Sequence, residues 1–272
     1  MRELDVMTEA IRNAYGAVAQ CSRDARVKGN AEGVYDVVTD ADFASEKTIV
    51  DAIRAAFPDD AVISEESSPD ADLEKRSWVL DPIDGTMNFS RGIPLYGIQA
   101  AFLECGVPKA AAIYLPAYDE MFMATEDGAF LDGSPIRTAA PRPLKECLMS
   151  TGDFSRKSEA FRKAQAAVFS ECYSAIGRFK VLGAACTDFA FLACGRTDAH
   201  LRFTNKIWDF LPGLYIAEKA GAVYDKSLQR ERNVLLLCSS KEVLSEAEDK
   251  VLPAVLSALG RSHLLLPPIM TR

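Results

Sequence analysis

The stretch that decides the fold reads Trp78-Val79-Leu80-Asp81-Pro82-Ile83-Asp84-Gly85-Thr86-Met87-Asn88-Phe89. Its apolar beginning, Trp78–Leu80, predicts a buried strand that leads straight into Asp81. Asp-Pro and Asp-Gly both favour turns, so we expect the chain to turn at Pro82 and to present Asp84 beyond it. Two aspartates three positions apart around a turn can point into one space, where their charges repel strongly unless a cation lies between them. The stretch therefore predicts a strand that ends in a pair of carboxylates.

The residues around this pair are suited to magnesium and phosphate. Mg²⁺ takes oxygen ligands, usually one or two carboxylates together with waters and phosphate oxygens of a substrate. The backbone carbonyl of Ile83 can add an oxygen to those of Asp81 and Asp84. Gly85 and Thr86 follow where we expect a helix to start, and backbone N–H groups there can bind an anion. An ordinary surface turn is the alternative for each dipeptide taken alone, although turn formation does not require the whole stretch.

Further acidic residues extend this potential ligand set. Glu65 and Glu66 follow a short apolar run, and Asp209 follows Trp208 at the beginning of a predicted helix. Each has an ordinary structural explanation, because acidic residues are common at solvated strand ends and in the first turn of helices. Together with the aspartate pair, they indicate a metal site assembled from distant parts of the chain.

The composition is that of an ordinary globular protein. The chain has 272 residues, of which 49% are hydrophobic and 26% are charged, and these values exclude a disordered or collagen-like chain. It carries 31 Lys and Arg against 39 Asp and Glu, a formal net charge of −8. This acidity argues against nucleic acid or an anionic membrane as the main partner. An acidic protein still binds an anionic small molecule when metal ions lie between the two.

The remaining sequence features predict a cytoplasmic protein without a membrane segment. Residues 1–5 lack the basic and then apolar pattern of a signal peptide, and no apolar run reaches the ~18–20 residues that span a bilayer. The cysteines form no Cys-x-x-Cys pair, which excludes the common zinc and redox motifs. We therefore expect reduced, buried thiols at Cys21, Cys105, Cys147, Cys172, Cys186, Cys194 and Cys238.

The element pattern predicts an α/β (α+β) fold in two halves. Helical spacing of apolar residues predicts helices over residues 3–27, 42–57, 156–170, 183–194, 208–220 and 241–259. Strands are expected over residues 61–63, 78–80, 98–103, 110–115, 121–124, 129–131, 147–150, 223–224 and 234–238. Prolines at 141 and 143 indicate a boundary between an N-terminal α+β half, residues 1–143, and a C-terminal α/β half, residues 144–272. The first half carries most candidate metal ligands, and the second carries Asp209 and the substrate-side residues.

These motifs resemble those of the inositol monophosphatase family, within the lithium-sensitive, magnesium-dependent sugar phosphatase superfamily. The resemblance is carried, in family order, by residues 65–67, 78–89, 208–209 and 218–222, and more weakly by residues 36–42 and 182–185. It implies a layered α-β-α-β-α fold with the active site at the junction of the two halves, and a homodimer.

The resemblance implies a site for two or three Mg²⁺ ions. Glu65, Asp81 and the Ile83 carbonyl resemble the ligands of one ion. Asp81, Asp84 and Asp209 resemble those of a second, and Glu65 also resembles a residue near a third, weaker ion.

Catalytic roles follow from the same resemblance. Thr86 together with Glu65 resembles the pair that orients the attacking water, and Asp84 belongs to the same catalytic set. The N–H groups of Gly85 and Thr86 resemble a phosphate-binding site. Thr39 and Asp42 look like partners that hold a metal or its water.

The expected reaction is hydrolysis of a phosphate monoester of a small metabolite by direct in-line attack of metal-activated water. The physical argument agrees, because this reaction is extremely slow unless charge on the transferring phosphoryl group is stabilised. Nothing in the sequence indicates a Ser/His or Cys/His nucleophile, since His200 and His263 are the only histidines, and His200 is expected to be a structural residue on a strand.

The substrate side departs from the family pattern. Asp84, Gly183, Ala184, Ala185 and Arg202 are the expected substrate contacts. Relatives that cleave inositol phosphates usually carry a glutamate where this chain has Arg202, and an arginine prefers a phosphate or carboxylate to a neutral polyol. The alternative is that Arg202 points to solvent or pairs with a carboxylate of the protein.

The candidate substrates are therefore inositol 1-phosphate, fructose 1,6-bisphosphate, histidinol phosphate and 3′-phosphoadenosine 5′-phosphate. A catalytically inactive relative that binds a metabolite is the non-enzymatic alternative. Lys28 could reach a phosphate or a metal-bound water, but we expect a solvated lysine there.

Overall fold

The computed structural model describes residues 2–28, 36–67, 73, 75–155, 158–203 and 206–260. Its helices in these ranges are α1 (Arg2–Val18), α2 (Asp40–Ala56), α3 (Thr86–Ser90), α4 (Glu159–Glu171), α5 (Ala185–Ala193), α6 (Ile207–Lys219), α7 (Lys226–Arg232), α8 (Lys241–Lys250) and α9 (Leu252–Leu259). The strands up to residue 135 are β1 (Ala25–Val27), β2 (Val37–Thr39), β3 (Ala61–Ser64), β4 (Arg76–Asp84), β5 (Gly97–Glu104), β6 (Val107–Leu115), β7 (Glu120–Thr125), β8 (Gly128–Leu131) and β9 (Ser134–Pro135). The later strands are β10 (Leu148–Thr151), β11 (Arg178–Val181), β12 (Ala199–Phe203), β13 (Val223–Tyr224) and β14 (Val234–Cys238).

A seven-stranded sheet contains β3 to β9, hydrogen-bonded in chain order. β3 and β4 run parallel, and the other neighbours are antiparallel. The turn between β5 and β6 has positive φ at both Cys105 and Gly106, 50° and 74°. Positive φ at both central residues is the type I′ geometry that joins twisted antiparallel strands.

Both faces of this sheet are covered by helices. Trp78 and Leu80 pack on the side of α1 and α2, where the Trp78 and Phe102 rings lie 5.1 Å apart. Val79 and Leu103 face the opposite side and join the core around α5 and α6. The two-residue period of a strand produces this division, and burial on both faces explains why this part of β4 is continuously apolar.

A second sheet has the strand order β11-β10-β12-β14-β13. β10 runs parallel to both of its neighbours, and the other pairs are antiparallel. Met149, Leu201 and Leu236 pack against α4, α8 and α9 on one face. Leu235 and Leu237 on the other face join the core around α5 and α6.

The two sheets and three helical groups form the expected α-β-α-β-α layers. The order is α1 and α2, the seven-stranded sheet, α5 and α6, the second sheet, and then α4, α8 and α9. The middle helices come from the second half of the chain yet pack on the sheet of the first half, so the boundary at residue 143 stays a prediction.

Two of the predicted helices differ from the structure. The helix predicted over residues 3–27 ends at Val18, and Ala25–Val27 instead pairs with β2 as an antiparallel strand. The single helix predicted over residues 241–259 is divided at Val251 into α8 and α9. Pro253 follows this division directly, and proline cannot donate the backbone hydrogen bond that a continuous helix requires.

Elements with little apolar periodicity were not predicted. Helix α7 and strand β11 are rich in charged residues, and most of their residues are exposed or only partly buried. His200 lies on a strand, as expected, although no range was predicted for this strand, β12. Its residues, Ala199–Phe203, do alternate between apolar and polar, and pairing with β10 and β14 places it in the sheet.

Two further predictions concern the membrane and the thiols. No helix among the described residues is long and apolar enough to cross a membrane. All seven cysteines are free. Cys147, Cys172, Cys186 and Cys238 are buried as predicted, whereas the prediction of a buried thiol is wrong for Cys105, which is exposed at the β5–β6 turn.

Candidate active site

The end of β4 brings two aspartates to one side through a bulge. The strand continues to Asp84, so the predicted turn at Pro82 is wrong. Asp81 pairs with Gln99 and Asp84 with Gly97, so two residues of β4 lie opposite the single residue Ile98 of β5. Residues three positions apart on a regular strand face opposite sides. The extra residue of the bulge shifts this alternation by one, so that Asp81 and Asp84 face the same side. A bulge also accommodates proline, which has no N–H to donate to the ladder.

Gly85 makes the transition from this strand to α3. Its φ is +88°, and a Cβ built on it would lie 2.8 Å from the Cβ of Ala184 and 3.0 Å from the Leu95 carbonyl oxygen. Both the left-handed backbone and the close approach require glycine. α3 begins at Thr86, as predicted, with its hydroxyl 3.0 Å from the Ile83 carbonyl oxygen and 3.1 Å from Asp42 Oδ1.

Three predicted metal ligands converge from distant parts of the chain. Glu65 follows β3, Asp81 lies on β4 and Asp209 is in the first turn of α6. Each offers a carboxylate oxygen, and these oxygens lie within 4.8 Å of one another. Asp81 is 1% exposed, and its Oδ1 has no hydrogen-bond partner among the described residues. A buried, unpartnered carboxylate beside two others is the oxygen-rich environment that a hard cation such as Mg²⁺ requires.

Burial and mutual repulsion disfavour the ionised form of these carboxylates. Burial raises the pKa of Asp81 well above its usual range, and the charges of Glu65, Asp84 and Asp209 raise it further. Burial, followed by the charge of Asp209, raises the pKa of Asp84 to about 6. A bound divalent cation reverses this balance by stabilising the ionised form.

Cationic side chains compensate part of this charge. Lys206 Nζ lies 2.9 Å from Glu65 Oε1, and Lys28 Nζ lies 3.3 Å from the same oxygen and donates a hydrogen bond to Glu66. The expectation of a solvated Lys28 is wrong, because β1 carries this side chain to the glutamate pair, where it is 23% exposed. Lys206 was not predicted as a site residue, although a lysine three residues before the predicted metal ligand Asp209 indicates a cation close to the site.

Asp84 also joins the two halves of the chain. Its carboxylate accepts a hydrogen bond from the backbone N–H of Cys186, in the first turn of α5. The preceding Gly183 has a φ of +74°, and a Cβ there would lie 3.0 Å from Asn88 Nδ2. Asn88 donates to the carbonyl oxygens of Leu95, at 2.7 Å, and Leu182, at 2.8 Å. The segment of Gly183, Ala184 and Ala185 is therefore held against α3, and Asn88 is a positioning residue that the sequence analysis missed.

Asp42 and Thr39 lie at the beginning of α2, behind Thr86. Asp42 Oδ2 accepts hydrogen bonds from the Thr39 backbone N–H at 2.8 Å and hydroxyl at 2.7 Å, and Oδ1 accepts from Thr86. Burial raises the pKa of Asp42. The structure thus connects both residues to Thr86 and not directly to the three converging carboxylates.

The next turn of α2 holds both strand ends of the site. Ser45 donates to the Pro82 carbonyl oxygen at 2.7 Å. Glu46 accepts hydrogen bonds from the Ser64 hydroxyl and from the Glu66 backbone N–H, the latter at 3.2 Å. Neither residue was predicted from the sequence, although polar side chains on the apolar face of an amphipathic helix are a recognisable signal.

Arg202 is paired with a carboxylate, which is the alternative considered for it above. Its Nη2 lies 3.0 Å from Asp209 Oδ2, and its side chain is 14% exposed. His200, on the same strand, is completely buried, with Nδ1 2.8 Å from Ser150 Oγ. Burial lowers the pKa of His200 to about 3, so the ring is neutral and structural, as expected.

The chain is similar to known proteins in sequence and in structure. A family model described as "Inositol monophosphatase family" matches residues 2–259. The fructose-1,6-bisphosphatase/inositol-1-monophosphatase of Thermotoga maritima is 34% identical over 74% of this chain and 75% of its own length. The Nus factor SuhB of Escherichia coli is 31% identical over 81% of this chain and 83% of its own. The solved structure of the IMPase of Thermotoga maritima matches with a TM-score of 0.80 and 27% identity, over 95% of this chain and 98% of that one.

Proposed function

This chain belongs to the inositol monophosphatase family, and on that premise we propose that it is a magnesium-dependent phosphomonoesterase acting on a small phosphorylated metabolite. The observation that carries the proposal is the convergence of Glu65, Asp81 and Asp209, whose oxygens lie within 4.8 Å of one another. A group of three carboxylates, of which Asp81 is buried and the other two are partly buried, is costly without a cation. A resident metal therefore accounts for an arrangement that stability alone does not favour.

The residues would hold two or three Mg²⁺ ions. We assign Glu65, Asp81 and the Ile83 carbonyl to one ion, and Asp81, Asp84 and Asp209 to another. The unpartnered Asp81 Oδ1 fits this role, because it has no other partner among the described residues. Bound Mg²⁺ supplies stabilisation of phosphoryl oxygens and a water of lowered pKa.

The neighbouring residues would hold the reacting groups. The Thr86 hydroxyl has acceptors in Asp42 and the Ile83 carbonyl, which fix its hydrogen. Its oxygen is thereby left to accept a hydrogen bond from a water molecule, and Glu65 can accept the other hydrogen of that water. The lone pair of the water then points toward the phosphorus atom of a phosphate group whose oxygens accept hydrogen bonds from the N–H groups of Gly85 and Thr86.

The substrate is proposed only as a class. The name of the Thermotoga maritima relative includes both a sugar bisphosphate and an inositol monophosphate, so both classes belong in any substrate test. Histidinol phosphate and 3′-phosphoadenosine 5′-phosphate complete the panel. Homodimerisation stays a prediction from the family resemblance.

A non-enzymatic role is the second candidate. The Escherichia coli relative named Nus factor SuhB is 31% identical to this chain over 81% of it. An inactive relative would have no need to keep the acidic metal ligands that the family resemblance implies. This chain has an acidic residue at each of these positions, Glu65, Asp81, Asp84 and Asp209. The convergence of Glu65, Asp81 and Asp209 favours the enzymatic role.

The test is release of inorganic phosphate from the four substrates as MgCl2 is added. We expect activity that requires Mg²⁺ and is abolished in Asp81→Asn and Asp209→Asn, while circular dichroism shows an intact fold. Asp249→Asn, at an exposed position of α8, is the matched control and should retain full activity. The proposal is wrong if no substrate is cleaved, or if either ligand variant retains near-wild-type turnover.

A further inference from the structure

The strongest feature that the proposed function does not explain is Arg202 inside the acidic site. Its guanidinium is paired with Asp209 at 3.0 Å, whereas Lys28 and Lys206 are paired with Glu65. In a site that only held metal ions, this arginine would compete with the metal for the same carboxylate.

Arg202 has hydrogen-bonding capacity that the protein does not use. A guanidinium has five N–H donors in a planar fork, and the described residues include a hydrogen-bond acceptor, Asp209, for Nη2. Nε is buried and has no partner among the described residues. A buried donor without an acceptor is costly, so an acceptor supplied by a ligand would improve the site.

The charge of Arg202 also lacks compensation once the metal site is filled. Asp209 must then share its charge between the arginine and a dication. The next carboxylate whose charge acts on Arg202 is Asp84, which we also assign to a metal ion. Asp188 follows and is completely buried, and burial raises its pKa well above the usual range, which disfavours its charged form. A neutral hydroxyl group does not compensate a largely buried guanidinium, whereas a carboxylate or phosphate does, in a bidentate geometry.

We propose that Arg202 binds a second anionic group of the substrate, so that the preferred substrate is a phosphate ester that also carries another phosphate or a carboxylate. The inference rests on the proposed phosphatase function and specifies its substrate class. It places neutral polyol monophosphates among the poorer substrates.

Matched substrate pairs test this selectivity. Fructose 1,6-bisphosphate and fructose 1-phosphate differ in the second phosphate, and glycerate 2-phosphate and glycerol 2-phosphate differ in a carboxylate. Values of kcat/KM are measured at saturating Mg²⁺, with the Mg²⁺ dependence of each variant determined separately because Arg202 contacts Asp209. We expect the anionic member to be favoured by about tenfold or more in at least one pair, which is the scale of one charge-assisted hydrogen bond. The pair that shows the preference identifies the anionic group.

Variants of Arg202 distinguish recognition from general damage. Arg202→Gln should reduce the preference by about tenfold, mainly by raising KM for the anionic member. Arg202→Lys keeps the charge but loses the fork, and it should retain part of the preference. Arg230→Gln, on the exposed surface of α7, is the control and should leave the ratio unchanged.

The outcomes separate this inference from the proposed function. Absence of Mg²⁺-dependent phosphate release from these four compounds and from the substrates that test the proposed function overturns both. Release from those earlier substrates but from none of these four compounds overturns the inference alone. Release without preference in either pair, or an unchanged ratio in Arg202→Gln, overturns the inference alone. A loss of folding in Arg202→Gln, seen by circular dichroism, leaves the wild-type ratios and Arg202→Lys to decide it.

Discussion

The carboxylate of Asp84 accepts a hydrogen bond from the backbone N–H of Cys186, which joins the last residue of β4 to the first turn of α5. A strand of the first sheet and a helix of the middle layer therefore meet at one carboxylate. The charge of Asp209 contributes to the raised pKa of the same group. Metal binding and the packing of the two halves are thus expected to depend on the same residue.

Replacement of Asp84 by asparagine should separate these two roles. In the Asp84→Asn variant the side-chain carbonyl oxygen can still accept the N–H of Cys186, but one charge is removed from the buried cluster. We expect the metal-free variant to unfold at the same or a higher temperature than the wild type, because repulsion is relieved. The increase in melting temperature caused by MgCl2 should largely disappear. An undiminished increase would show that Asp84 does not bind the metal.

The pH dependence of stability in EDTA should reveal Glu66. Burial raises the pKa of this residue from 4.5 to about 7 in the folded protein. Between these values the folded state binds more protons than the unfolded state, so this group contributes stability at low pH that is lost as the pH rises through about 7. The free energy of unfolding of wild type minus that of Glu66→Gln, measured by urea titration, should therefore fall as the pH increases from about 4 to 7. A difference that rises with pH contradicts the assignment.

Gly85→Ala should destabilise the protein and abolish activity. The alanine would adopt a φ of +88° and place its Cβ 2.8 Å from Ala184 and 3.0 Å from a carbonyl oxygen. The left-handed conformation costs about 1–2 kcal/mol, and steric overlap adds about 1–3 kcal/mol. Gly133→Ala is the matched control, since Gly133 has a φ of +80° and nothing within 4 Å of the added Cβ. Equal losses in unfolding free energy for the two variants would show that the close approach at Gly85 is unimportant.

Asn88→Ala should loosen the substrate side of the site. Its Nδ2 donates to two carbonyl oxygens, of Leu95 and Leu182, which lose this donor in the variant. We expect a loss of about 1–3 kcal/mol in the free energy of unfolding and a larger KM, with a smaller effect on kcat. Asn13→Ala, on the exposed face of α1, should change neither. A variant with normal stability and KM would exclude Asn88 as a positioning residue.

The sequence alone was sufficient for features that depend on neighbouring residues. Trp78–Leu80 lies in a strand buried on both faces, and a helix begins directly after Gly85, because apolar runs and glycine act through local backbone preferences. The α/β class followed from the same patterns, whereas the α-β-α-β-α order of the layers followed from the resemblance to a family. Local pattern was misleading at Pro82, where turn propensity predicted a turn and pairing with β5 produced a bulge.

Tertiary structure decided which distant groups meet. Carboxylate oxygens of Glu65, Asp81 and Asp209 lie within 4.8 Å of one another, and the sequence pattern contains no distance between them. The sequence also left undetermined the partners of three cationic residues, Lys28, Arg202 and Lys206. Their contacts depend on how distant elements pack. The sequence alone therefore determines which chemical groups are available in this protein. Their arrangement depends on the burial of two sheets and three helical layers, because only packing brings charges from separate segments into one desolvated space.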